Sequence, residues 1–256
     1  MSESSYRAIL SSDWNECLAP CGPFDFAAFN YPELQEDLTA VFRQYTGNRI
    51  SLGEAVAQID GMLPTPISPE QIDTYLDHSF AVYRGVPALI EWCERNAILF
   101  MINTTGMIGY FQRLFAKGLL PVVPVLSACP MTRFPSGPCD PPEIYDLLEI
   151  PDKGQNTAVV IRKHVIAPGK AILMGDSGGD GPHFKWGAEQ GALLIGSMTK
   201  SSLTDYCAKR GVTINVSFGC TYGPGETRDL AKEMGINFMD LVPVIEQYVD
   251  GHGLEK

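Results

Sequence analysis

No apolar run in this sequence approaches the ~18 residues that a membrane-spanning helix needs. The apolar stretches stop at the length of single buried strands, as in "AILFMIN" at 97–103. Positive charge is also scarce. Lys and Arg number 19 against 30 Asp and Glu, a formal net charge of −11. Nucleic acid and anionic membrane, which attract basic surfaces, are therefore not expected partners. A small phosphorylated molecule stays compatible, because a bound divalent cation reverses the local field. Metal-like cysteine spacing is missing too. Cys17 and Cys21 lie close together, but no second Cys or His pair completes a zinc set among the seven cysteines. Such an odd, scattered set reads as reduced thiols. The opening "MSESSYR" lacks the basic region and apolar core of a secretory leader, so the expected setting is cytoplasmic. No internal repeat is present.

What is there reads as α/β. The 256 residues suffice for one sizeable α/β unit with an insertion, and 45% hydrophobic with 19% charged residues is ordinary globular composition. Ala8, Ile9 and Leu10 form a short buried-strand signal that ends at Asp13. A Pro/Gly/Cys loop follows, then a block with helical patterning only. Leu34, Leu38, Val41, Phe42 and Tyr45 repeat at helical spacing, with Asn30 as cap, Pro32 in the first turn and Gly47 as stop. Ser51–Glu54 and Ser68–Gln71 have the form of capping boxes, the second with Pro69 at the first helical position. Helices are expected near 31–46, 51–62 and 68–83. Alternation then begins: helix 86–96, strand 97–103, helix 107–117, and a strand in 119–128 weakened by Pro121 and Pro124. A Pro/Gly loop at 129–143 precedes helix 153–165 and strand 171–176. Further strands are expected at 191–197 and 212–218, and a helical tail at 226–249 with a break near 235–237. The expected architecture is a Rossmann-like parallel sheet core, formed by 1–22 and 86–256. An all-helical cap, 23–85, is inserted after the first strand, where a lid would cover the carboxyl edge of the sheet.

Polar residues gather where the strands end. Asp13 ends the first, Thr104 and Thr105 the next, and Asp176 a later one, with Asp180 four residues beyond. Acids from different strands at one sheet edge can share a hard cation. Mg²⁺ suits one or two carboxylates plus water and phosphate oxygens. Glycines 175, 178, 179 and 181 let the backbone approach a ligand closely. A carboxylate is a weak nucleophile that becomes useful on phosphorus when a cation and a lysine neutralise the phosphoryl oxygens.

With these parts in order, the sequence resembles the haloacid dehalogenase (HAD)-like hydrolase superfamily, and within it the helical-cap, phosphoserine phosphatase-like branch. Four stretches carry the resemblance: "AILSSDWNECL", "LFMINTTG", Lys153 in "PDKGQNTAVVIRKH", and "MGDSGGD". It implies a Mg²⁺-dependent hydrolase acting on a small phosphorylated substrate. Asp13 would be the nucleophile. Asp13, the backbone carbonyl of Asn15, Asp176 and Asp180 would serve the metal. Thr104, Thr105, Gly106 and Lys153 would bind the anion; Thr104 is preferred over Thr105 as nearest the strand end, and Lys163 and Lys170 are alternatives to Lys153. The departure lies at Asn15. Phosphatases of the family usually carry a second Asp there, which protonates the leaving oxygen and later activates water. An amide cannot exchange a proton at neutral pH, and loss of a general acid typically costs ~10²–10⁴ in rate. Glu16 and Cys17 also replace the usual Gly and Thr. Two alternatives follow: a HAD-fold binding or regulatory protein with little or no turnover, and a dehalogenase- or phosphonatase-type hydrolase. Glu16 is a candidate displaced acid, while His183 reads more readily as a packed or surface histidine.

Overall fold

The computed structural model describes residues 6–46, 49–167 and 169–251. Its strands are β1 (Ala8–Ser12), β2 (Ile98–Met107), β3 (Val125–Cys129), β4 (Glu143–Asp146), β5 (Ala171–Gly175), β6 (Leu193–Lys200) and β7 (Val216–Tyr222). β1, β3 and β5 are buried at every position. Such strands expose no face to solvent, so they fit the interior of a sheet covered on both sides. All seven pair in parallel in the order β4-β3-β2-β1-β5-β6-β7. The chain thus builds outward from β1 to β4, then returns to the other flank of β1 for β5. The direction of winding reverses between β1 and β5, and a ligand crevice opens beyond the carboxyl ends of such strands.

The helices are α1 (Asp25–Asn30), α2 (Gln35–Thr46), α3 (Leu52–Met62), α4 (Pro69–Ser79), α5 (Val86–Arg95), α6 (Ile108–Ala116), α7 (Asp152–Lys163), α8 (Gly181–Glu189), α9 (Ser201–Lys209), α10 (Leu230–Met234) and α11 (Val242–Val249). The first four form the helical insertion between β1 and β2. Period-two alternation sorts the strand side chains onto two faces. Ile9, Leu99, Met101 and Leu173 pack with Val160 of α7, Phe184 of α8 and Leu203 of α9. Leu10, Phe100, Ile102 and Ile172 pack on the opposite face, with Leu89 of α5, Phe111 of α6 and Ile245 of α11. That second core continues into the insertion through Phe26, Val41, Ile59 and Tyr75, so the insertion rests on the sheet by shared apolar burial.

Both capping boxes form. Ser51 Oγ accepts from Glu54 N at 3.1 Å and Glu54 Oε2 from Ser51 N at 2.8 Å, with the same reciprocal pair at Ser68 and Gln71. Several boundaries differ from expectation. Asn30 ends α1 instead of capping the next helix, and a 3₁₀ turn at Pro32–Leu34 precedes α2. Gly47 lies outside the described residues. α4 stops at Ser79, because Phe80 is already extended. The strand expected in 119–128 shrinks to Val125–Cys129, after the two prolines that cannot donate to a ladder. Glu143–Asp146, read as part of a loop and its flank, is a short edge strand with no apolar signal. β2 runs on through Thr104–Gly106 with an irregular register, and β6 extends to Lys200. Among the described residues no helix is long and apolar enough to cross a membrane.

The C-terminal segment is tied back to the loop after β1. Glu233, fully buried, accepts from Tyr83 Oη, from Tyr222 Oη at 2.8 Å, and from Arg228 Nη2 at 2.6 Å and Nε at 3.0 Å. Arg228 Nη1 continues to Glu16 Oε1 at 2.6 Å and to the Pro20 carbonyl at 3.2 Å. Removing one member of a buried ion pair strands the other. Glu233→Ala is therefore expected to cost ~3–5 kcal/mol, read as a lower urea midpoint at unchanged slope.

Candidate active site

The site is assembled at the β1/β5 reversal. Asp13 follows β1, and its N–H still bonds the Met174 carbonyl at 2.9 Å, which holds the residue in register with β5. Asp176 follows β5, and its carbonyl accepts from Lys200 N at 2.8 Å, at the end of β6. Asp180 returns over the end of β5 through a 3₁₀ turn at Gly178–Asp180. Its carboxylate lies so close to Gly175 that a Cβ there would sit 2.5 Å from Asp180 Cγ. Asp180 Oδ2 accepts from Asp176 N at 3.0 Å and Ser177 N at 3.3 Å.

Lys153 stands in the first turn of α7 and joins two of these acids. Its Nζ donates to Asp13 Oδ1 at 3.0 Å and to Asp180 Oδ1 at 2.6 Å, with the residue only 2% exposed. A polar clamp holds the start of α7 against the sheet. Asn103 Nδ2 lies 2.9 Å from the Lys153 carbonyl, 3.1 Å from Ser11 Oγ and 3.0 Å from Thr157 Oγ1. His183 belongs to this clamp, with Nε2 3.1 Å from Thr157 Oγ1. Burial pushes its imidazole down to about 3, so it is neutral and packs against Trp186.

Charge in the site is unevenly compensated. Burial raises the Asp13 carboxyl against the pull of Lys153, and raises Asp176 well above the usual range against that of Lys200. Burial would raise Asp180 also, but Lys153 and the two amide donors outweigh it and hold that carboxyl low. Lys200 Nζ contacts Asp176 Oδ2 at 2.7 Å and Glu16. Glu16 occupies the left-handed region at φ 58°, a conformation that favours glycine. Lys200 and Arg228 grip its carboxylate there. Four carboxylates thus face two ammonium groups and one shared guanidinium. Ligand oxygens of Asp13, Asp176 and Asp180 all lie within 4.8 Å of one another. Hard oxygen donors at this spacing, two of them raised by burial, fit a Mg²⁺-like cation.

A cavity of about 410 Å³ opens above these groups, lined by Asp13, Lys153 and Asp176 on the sheet side and by Phe42, Arg43 and Tyr45 of α2 on the other. The structure brings Asp13, Asn15, Thr105, Lys153, Asp176 and Asp180 to this one cavity. It separates the two threonines. Thr104 is fully buried; its hydroxyl donates to Asn15 Oδ1 at 3.2 Å and accepts from Gly106 N at 3.1 Å. Gly106 lies against a smaller neighbouring void with Trp14 and Tyr110. Asn15 is a clasp: its Oδ1 takes Thr104, and its Nδ2 donates to the Cys21 carbonyl at 3.3 Å. Lys200, Arg43 and Tyr45 were not singled out from the sequence. Lys200 had a usable signal, a polar residue closing a buried strand. The two α2 residues had none, because their approach to the sheet depends on how the insertion packs.

No protein-family model matches this chain, and no curated protein matches it. Solved structures do, over most of its length. A phospho-aspartyl intermediate analogue of phosphoserine phosphatase superposes with a TM-score of 0.65 at 12% identity, covering 93% of this chain and 99% of that one. A HAD family hydrolase from Salmonella enterica subsp. enterica serovar Typhi gives 0.62 at 14% identity, covering 83% and 68%. Cytosolic 5'-nucleotidase IIIB bound to cytidine gives 0.57 at 12% identity, covering 97% and 86%. At such identities the likeness is one of fold: the chain has the α/β fold of HAD-like hydrolases, with a helical insertion after the first strand.

Gly175 offers a test of how the acids are held. Gly175→Ala is expected to cost ~1–3 kcal/mol through overpacking against Asp180, seen as a lower denaturation midpoint. Gly179→Ala, whose Cβ would meet only Ser177 Oγ at 3.7 Å, is expected to change little.

Proposed function

We propose that this chain is a Mg²⁺-dependent hydrolase of small phosphate esters, with Asp13 as nucleophile. The observation that carries this reading is the Lys153 bridge between Asp13 and Asp180 at the β1/β5 crevice. Support also comes from the fold, since one similar structure is of phosphoserine phosphatase as a phospho-aspartyl intermediate analogue.

The phosphoryl group would enter the cavity between the sheet edge and α2. Lys153 supplies a buried ammonium, kept charged because two carboxylates outweigh its burial. Thr105, on the cavity wall, orients a phosphoryl oxygen. Asp13 then attacks phosphorus, the ester oxygen departs, and water hydrolyses the aspartyl phosphate. Asp13, Asp176 and the Asn15 carbonyl would hold Mg²⁺, with Asp180 supporting them. The ion supplies charge neutralisation to the phosphoryl oxygens. The helical insertion, residues 23–85, acts as the cap that limits water and selects the leaving group.

Two measurements test the reading. Asp13→Asn is expected to abolish both turnover of a phosphate-ester panel and acid-stable labelling of the protein by the phosphoryl group. Mg²⁺ at 100 times its Kd is expected to stabilise the wild-type fold by ~2.7 kcal/mol, read by thermal melting, and to stabilise Asp176→Asn far less. Failure of the wild-type protein to form an aspartyl phosphate on any ester, with Mg²⁺ bound, would favour a binding protein instead.

A further inference from the structure

The phosphatase reading leaves one chemical requirement unmet. An alkoxide leaving group needs a proton, and Asn15 cannot give one. Its amide is engaged with Thr104 and Cys21 in any case. We propose that Tyr45 of α2 protonates the leaving-group oxygen and later takes a proton from the hydrolytic water. The inference rests on Asp13 acting as the nucleophile.

Asp176 is held by Lys200 and is assigned to the metal, and the remaining groups around the cavity are poorly suited to the task. Lys153 and Lys200 each hold two carboxylates. Arg43 carries a guanidinium that does not deprotonate in proteins. Glu16 is gripped by Lys200 and Arg228, and Asp180 accepts from Lys153 and two backbone amides. The Thr105, Ser177 and Ser202 hydroxyls are no more acidic than the alcohol to be released. Tyr45 is different. It lines the cavity beside Thr105 and is 4% exposed. Its position also suits the stereochemistry. Asp13 attacks from the sheet edge, so in-line displacement sends the leaving oxygen toward the insertion, where α2 presents this phenol.

Burial raises the Tyr45 hydroxyl, with Asp13 and Asp180 adding to the rise and Lys153 and Thr105 opposing it. The phenol is therefore held in its protonated form until an alkoxide develops beside it. In the first step the Asp13 Oδ–P bond forms and the ester P–O bond breaks. The Tyr45 proton passes to the departing oxygen, leaving a phenolate near the Lys153 ammonium. In the second step water attacks phosphorus and gives its proton to that phenolate. The Asp13 O–P bond breaks and inorganic phosphate leaves.

The test compares wild type and Tyr45→Phe, with matched melting curves, in single turnovers with Mg²⁺ on two probes. Glycerol 2-phosphate has a leaving group that needs protonation; 4-nitrophenyl phosphate has one that does not. The phenylalanine variant is expected to release glycerol ~10²–10⁴ times more slowly, while release of 4-nitrophenol falls less than about tenfold. A structural role would slow both alike, so an equal loss on the two probes, or no loss on either, overturns the proposal. If wild type releases neither product and carries no phosphate on Asp13, the nucleophile assignment itself fails and the role of Tyr45 falls with it. A variant that forms phospho-Asp13 from 4-nitrophenyl phosphate but not from glycerol 2-phosphate separates the two cases.

Discussion

The interaction on which the site depends is the ammonium of Lys153 held between Asp13 and Asp180. Without that charge, two carboxylates would share a buried space with only the two amide donors to Asp180 to offset their repulsion and lost hydration. With it, Asp180 stays ionised and Asp13 keeps a cation at its oxygen. The rest of the architecture serves this placement. The strand order puts Asp13 and Asp176 on neighbouring strands where the winding reverses. Gly175 makes room for Asp180. Asn103, itself in β2, grips the carbonyl of Lys153 and so aims the lysine from below.

Around this pair the structure departs from a simple acidic metal pocket. Lys200 and Glu16 form a second ion pair on the Asp176 side, and Arg228 extends it into the C-terminal segment. Asp176 thus already has a cationic neighbour, and any divalent ion binding there shares the carboxylate with Lys200. Glu16 explains part of the unusual sequence after Asp13. A left-handed residue suits glycine, but two cations compensate a glutamate in the same backbone position. Glu16, which looks like erosion of a motif, is a component of a local charge network, and Asn15 is a neutral clasp onto Thr104 and Cys21.

Much of the fold was legible in the sequence because its signals are local. Continuous apolar runs named β2 and β5, and two capping boxes located the starts of α3 and α4. The strands that were misjudged or missed lack such a signal. β4 is a half-buried edge strand reading Glu-Ile-Tyr-Asp, and β7 alternates exposed and buried positions at the sheet's other edge. In the site, residues at strand ends could be found by position alone. The choice between Thr104 and Thr105 could not, since it turns on an irregular register beyond Asn103. Nor could Tyr45, which enters the cavity from a helix some thirty residues after Asp13, through packing that no local pattern records.

The Glu16–Arg228 contact joins residues 212 positions apart. In the order of synthesis, the loop carrying Asp13 is made some 212 residues before its anchor. Domains fold as units once enough chain has emerged, so Glu16, which Lys200 already meets, gains its second cation only when β7 and Arg228 have left the ribosome. A chain cut short before Arg228 could keep most of the sheet yet would leave Glu16 facing Lys200 alone. The finished geometry of this loop is a property conferred by a segment distant from it in sequence.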